Sequence, residues 1–163
     1  MKRNFLILSL FLFSFFSSFG QAFMKGTKTI NLGINTGYGI GLVGSVEAGV
    51  TSDISAGFIA SVSERNYSKS RNSYLVLGAR GSYHLGKILE NADVNMDKLD
   101  LYLGLTGGFR SVRHNSSYSR YSGPDTGIYI GGHGGLRYQL KEKLGVYLEG
   151  GYPLSSVGIT FEL

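Results

Sequence analysis

From Ile30 to the C-terminus, apolar and polar residues alternate with a period of two in one segment after another, and this pattern constrains the fold more than any other feature of the chain. A helix would need a period of 3.6, so the chain reads as all-β. Ile30, Leu32 and Ile34 alternate with Asn31, Gly33 and Asn35; Val46, Ala48 and Val50 alternate with Ser45, Glu47 and Gly49. Ile54, Ala56, Phe58, Ala60 and Val62 share a face. Leu75, Leu77, Ala79, Tyr83 and Leu85 oppose Gly78, Arg80, Ser82 and His84. Leu101, Leu103, Leu105 and Phe109 oppose Tyr102, Gly104, Thr106 and Arg110. The pattern recurs at Ile128–Tyr138, Val146–Tyr152 and Val157–Leu163, which makes eight candidate strands. Most are near the roughly 9–11 residues with which a tilted strand crosses a bilayer.

The connections alternate as well. Thr51-Ser52-Asp53 and Lys141-Glu142-Lys143 read as tight turns, whereas Arg65–Asn72 and His114–Asp125 read as long polar loops rich in Ser, Tyr and Arg. Gly86–Lys98 breaks this order: it is long and acidic, and Ile88, Leu89, Ala92 and Met96 fit one or two amphipathic helical turns.

The N-terminus has different chemistry. Lys2 and Arg3 precede an apolar run from Phe5 to Phe16 that is broken only by Ser9 and Ser14. The run is shorter than the roughly 20 residues of a spanning helix, and small residues follow it, so residues 1–20 are expected to be a cleaved signal peptide, with 1–22 the alternative. Residues 21–163 then form one domain. Losing Lys2 and Arg3 lowers the formal charge from +5 to +3, too little to argue for nucleic acid. With no cysteine, neither a disulfide nor a lipoprotein anchor is available.

Alternation alone leaves open which face meets water. A soluble lipocalin-like carrier would put its apolar face inward and cover the polar one with Lys and Glu. Here the polar face is mostly Gly, Ser, Thr, Asn and Tyr, which suits a crowded lumen. The apolar face carries no charge at mid-strand, where Lys or Arg would cost about 2–4 kcal/mol in lipid. The expected fold is therefore an eight-stranded antiparallel up-and-down transmembrane β-barrel. Its polar face holds Arg80, Arg110 and Arg137 against Glu47, Asp100, Glu149 and Glu162. An unpaired buried charge costs several kcal/mol, so Glu47, Arg80, Arg110, Arg137 and Glu149 are expected to form a lumen ion-pair network.

In these features the mature chain, from about Lys25 onward, resembles the eight-stranded outer-membrane barrels: the OmpA transmembrane domain and the small OmpX-like proteins, grouped as outer-membrane β-barrel domains of a porin family. In that family the last strand carries a signal read by the barrel-assembly machinery, and Ser156, Gly158, Phe161 and Leu163 occupy its places. The chain departs from the pattern in ending on Leu rather than an aromatic residue. The resemblance implies an outer-membrane location in a Gram-negative envelope. It also implies contact with outer-membrane lipid and lipopolysaccharide, and a monomer.

Several strings imitate chemical motifs. Gly39-Ile40-Gly41-Leu42-Val43-Gly44 spells a dinucleotide fingerprint, but the strand pattern that follows denies it the helix such a site needs, and a turn between two strands is expected. Gly131-Gly132-His133-Gly134-Gly135 lacks a nucleophile elbow elsewhere, so His133 is expected to fill the lumen. His84, His114 and His133 match no metal spacing, and no metal or cofactor is expected. An enzyme acting on lipid A would need His114 with Ser111 or Ser116 and Asp125 at the outer rim. Against that alternative, no catalysis is expected. Arg65, Lys69, Arg71, Arg113, Tyr118, Arg120 and Tyr121 form a basic and aromatic outer-loop patch suited to phosphates or acidic sugars, of lipopolysaccharide or of an unknown extracellular ligand. Eight strands enclose a side-chain-filled interior, so the expected role is structural or surface recognition (envelope integrity, adhesion or host defence) rather than transport.

Overall fold

The computed structural model describes residues 23–67, 70–86, 88, 98–115 and 126–163. Eight antiparallel strands close into one barrel. They are β1 (Lys28–Asn35), β2 (Ile40–Gly49), β3 (Ile54–Tyr67), β4 (Ser70–His84), β5 (Leu99–Asn115), β6 (Gly127–Lys141), β7 (Leu144–Gly151) and β8 (Ser156–Glu162). Each strand pairs with its neighbours in sequence, and β8 returns to β1 through Phe161 opposite Ile30 and Ile159 opposite Leu32. Closure pairs the edge that an open sheet would leave bare.

The near end of the barrel carries Lys28, Leu163 and the connections after β2, β4 and β6; the far end carries those after β1, β3, β5 and β7. Local chemistry makes the tight turns. After β2, the backbone N–H groups of Asp53 and Ile54 donate to Thr51 Oγ1 at 3.2 and 3.0 Å. Between β1 and β2, Gly39 adopts a positive φ of 140°, a conformation that glycine takes readily. Gly41 and Gly44 lie inside β2, so the fingerprint-like string is a turn and a strand.

Two connections differ from expectation. The segment 65–72 is not a loop: Arg65 pairs with Asn72, Asn66 with Arg71, and Tyr67 with Ser70, so the hairpin is laddered nearly to its tip. Likewise β5 continues through His114 and Asn115, which pair with Asn72 and Arg71. Polar residues at period two satisfy a strand as well as apolar ones do, once the partner strand is long enough to meet them. In the acidic connection, Ile88 N–H bonds the Leu85 carbonyl at 3.1 Å. Residues 89–97, and with them Leu89, Ala92 and Met96, lie outside the described residues, as do residues 1–22, which contain the expected signal peptide, and residues 116–125.

The outward face is apolar and open. Leu42 is 66% exposed, Phe58 68% and Leu105 69%. The inward face holds Asn31, Glu47, Ser55, Arg80, His84, Asp100 and Arg137, all buried. This is the reverse of a water-soluble barrel.

Candidate functional site

The lumen has two tiers. The near tier is ionic. Register explains the first contact: Glu47 of β2 stands opposite Gly57 of β3, and Gly57 opposite Arg80 of β4. With no side chain on the strand between them, Arg80 Nε lies 3.6 Å from Glu47 Oε1. Arg80 also reaches across to β7, donating to both carboxylate oxygens of Glu149 at 3.3 and 2.5 Å. From β6, Arg137 donates to Glu47 at 2.6 Å and to Asp100 at 3.4 Å. The Tyr102 hydroxyl gives Glu149 a further bond at 3.0 Å, and the Arg137 guanidinium lies 4.6 Å from the Tyr102 ring centroid. These groups are nearly solvent-free, where forked, charge-assisted bonds are strongest.

The structure thus brings together Glu47, Arg80, Arg137 and Glu149, adds Asp100, and separates Arg110 from them. Arg110 lies toward the far end of β5, opposite Val76 and Gly127. There it donates to the hydroxyls of Tyr38 at 2.6 Å and Tyr152 at 3.3 Å, side chains that come from the connections after β1 and β7. Glu162 stands at the near rim, accepting from Gln139 at 2.9 Å. Burial raises the pKa of Tyr38, and its hydrogen bond with Tyr152 raises it further; the same bond, with help from Arg110, lowers that of Tyr152.

Two histidines extend the ionic tier. His84 Nδ1 lies 2.7 Å from Asp100 Oδ1 and its Nε2 lies 3.0 Å from Ser55 Oγ. This is the connectivity of a serine–histidine–acid relay. Ser55 is fully buried, however, and its one hydroxyl proton has a competing acceptor in Glu47 at 3.0 Å. A Ser55 hydroxyl that donates to Glu47 has no second proton to give His84. Phe23 covers the site, its ring stacked on His84 with centroids 3.4 Å apart. His133 sits between Ser82 and Thr106, each 3.0 Å away. No local pattern announces the His84 relay, because Ser55, His84 and Asp100 are scattered over three strands and meet only through the register. Among the described residues no three metal-binding side chains come together.

The far tier is apolar: Tyr38, Val43, Ile59, Tyr74, Val76, Tyr129 and Leu154 pack as one buried cluster. Tyr129 lies across Gly108 onto Gly78, where a Cβ would collide with its hydroxyl. At the near end a small cavity of about 30 Å³ between Asp100, Arg137, Gln139 and Glu162 has room for about two waters.

Of the outer-loop patch, Arg65 and Arg113 are exposed at the far rim, and Arg71 lies in β4. Lys69, Tyr118, Arg120 and Tyr121 lie outside the described residues, as do Ser116 and Asp125 of the rim constellation considered for lipid A chemistry. Ser111 faces outward from β5. In β8, Ser156 and Gly158 face the lumen and Phe161 faces out; Leu163, just past the strand, is exposed.

No protein-family model matches the chain, and a search of curated proteins finds no match. Solved structures do match. The attachment invasion locus protein Ail of Yersinia pestis superposes with a TM-score of 0.55 at 13% identity, covering 86% of this chain and 100% of Ail. Ail has also been solved in complex with the heparin analogue sucrose octasulfate (TM-score 0.52, 14% identity, 86% and 100% covered). The N-terminal β-barrel domain of Pseudomonas aeruginosa OprF matches with a TM-score of 0.51 at 16% identity, over 85% of this chain and 98% of that domain. At these identities the likeness is one of fold: an eight-stranded antiparallel barrel of the kind found in outer membranes.

Proposed function

We propose that this protein is an integral outer-membrane barrel whose role is structural or surface recognition, and that its lumen conducts nothing. One observation carries the reading: the side chains exposed on the outside of the strands are Leu, Ile, Val and Phe, while the ions and hydroxyls are enclosed. In water that arrangement would expose an apolar patch far beyond what a soluble monomer tolerates; in lipid it is the stable one. The ion-pair network and the apolar tier support a closed barrel. The basic rim at Arg65, Arg71 and Arg113, continued in sequence by Lys69 and Arg120, suits acidic saccharides or phosphates, the ligand class of the heparin-analogue complex of Ail. Assembly as a monomer by the barrel-assembly machinery, after removal of the leader, belongs to the same reading.

The experiment is fractionation with gel mobility and conductance. The protein should leave the envelope only with detergent, migrate faster unheated than boiled, and give no persistent channel in a planar bilayer. Recovery of the compact protein from periplasmic extract without detergent would replace this reading with a soluble carrier. A stable conductance would contradict the closed lumen.

The Ser55–His84–Asp100 geometry favours a second reading, an ester hydrolase at the near mouth that opens when Phe23 withdraws. Phe23→Ala should then allow a fluorophosphonate to form an adduct on Ser55, detected by mass spectrometry of the peptide. An unlabelled Ser55 in that variant rules the hydrolase out.

A further inference from the structure

Toward the far end, the outside of the barrel departs from its apolar pattern on β3–β5. There, Leu42, Val62, Leu75 and Ser111 form one outward row across β2–β5, and Ile40, Glu64, Ser73 and Arg113 form the next. Together these two rows line an open groove of about 630 Å³. Its lower wall is bare hydrocarbon: Leu42, Val62 and Leu75 are all exposed. Its upper wall carries an exposed guanidinium. Among the described residues the Arg113 side chain has neither a hydrogen bond nor an ion pair.

The geometry points to this groove as a binding site for one phosphate-bearing lipid of the surrounding leaflet. The phosphate is held by Arg113 with the hydroxyls of Ser73 and Ser111, and an acyl chain lies over Leu75, Val62 and Leu42. The inference deepens the membrane reading above and rests on it. Ser73 stands directly opposite Arg113 on the paired strand, about 5 Å away, so one phosphate can meet both groups. The next outward row lies two residues along the strand, about 7 Å nearer the middle of the barrel. A headgroup at the upper row therefore delivers its first methylenes onto the lower one. A guanidinium at this height lacks full hydration on its membrane side, and a phosphate supplies forked, charge-assisted acceptors. A lipid fits better than free phosphate because phosphate alone would use none of the apolar wall. Glu64 stands one strand beyond Ser73, about 10 Å from Arg113.

The test is native mass spectrometry of the purified barrel, delipidated in detergent and then offered three probes: phosphatidylglycerol, the matching diacylglycerol, and water-soluble glycerol phosphate. Phosphatidylglycerol should bind as one retained copy, and neither other probe should be retained. Arg113→Ser should lower that occupancy by about tenfold or more, the range for losing a charged hydrogen-bond donor. The Ser73→Ala/Ser111→Ala double variant should lower it several-fold. Lys28→Ser, which removes a cation from the same outer face at the near end, should leave it unchanged. Equal retention by Arg113→Ser, or retention of diacylglycerol, overturns the site. So does an equal loss in Lys28→Ser, which would mean diffuse charge attraction. Gel mobility of the same samples reports the membrane reading separately: a detergent-dependent, heat-modifiable barrel that holds no lipid sinks the site alone.

Discussion

Arg80→Met is expected to destabilise the refolded barrel by about 3–5 kcal/mol, the cost of leaving a buried charge without its partner. Arg80 holds Glu149 by two bonds and stands beside Glu47, and all three side chains are nearly solvent-free. Without it, Glu149 keeps the Tyr102 hydroxyl and loses its cation. Urea or thermal unfolding, followed by gel mobility and far-UV circular dichroism, measures the loss; the chain has no tryptophan to report by fluorescence. Arg80→Met combined with Glu149→Gln should recover most of it, because removing both charges removes the desolvation cost along with the attraction. Arg110→Met serves as the contrast. Its described bonds are to tyrosine hydroxyls at the far end, so a smaller loss is expected. An unfolding curve for Arg80→Met that overlays the parent would remove the ionic tier from the account of stability.

The second large effect is on the outside. Leu105→Arg should weaken folding into a bilayer by about 2–4 kcal/mol, while Leu105→Ala should cost much less. Leu105 is 69% exposed and lies between Leu103 and Phe109 on the apolar face of β5. On a water-soluble protein the same exchange at so exposed a site would stay within about 0.5 kcal/mol. The size of the penalty therefore reports what surrounds the barrel. A refolding yield and urea midpoint in lipid vesicles equal to those of the parent would show that this face does not meet acyl chains.

The strand faces were legible because a strand offers each side chain only two directions. Once Leu101, Leu103 and Leu105 are assigned outward, Tyr102, Gly104 and Thr106 have nowhere to go but inward. The far apolar tier was less legible. Val43, Ile59 and Val76 each sit beside outward-facing apolar residues, as in Leu42-Val43, Phe58-Ile59 and Leu75-Val76-Leu77. A period-two reading treats such runs as noise. That they meet in the lumen follows from the register, which places Val43 opposite Ser61 and Ser61 opposite Val76, with Ile59 one inward row nearer the near end, opposite Ser45 and Gly78.

Contacts across the lumen lie beyond any local pattern. Arg137 and Glu47 are 90 residues apart and Arg80 and Glu149 are 69, and nothing near any of these residues names its partner. The separation of Arg110 from the acids is of the same kind: its inward direction was readable, but its height along the barrel was not. By itself the sequence determined which residues face outward and which face the lumen, since that depends only on neighbours along one strand. The tertiary structure alone decided which lumen groups meet, because the stagger of eight strands on closure sets the height of every side chain against the opposite wall.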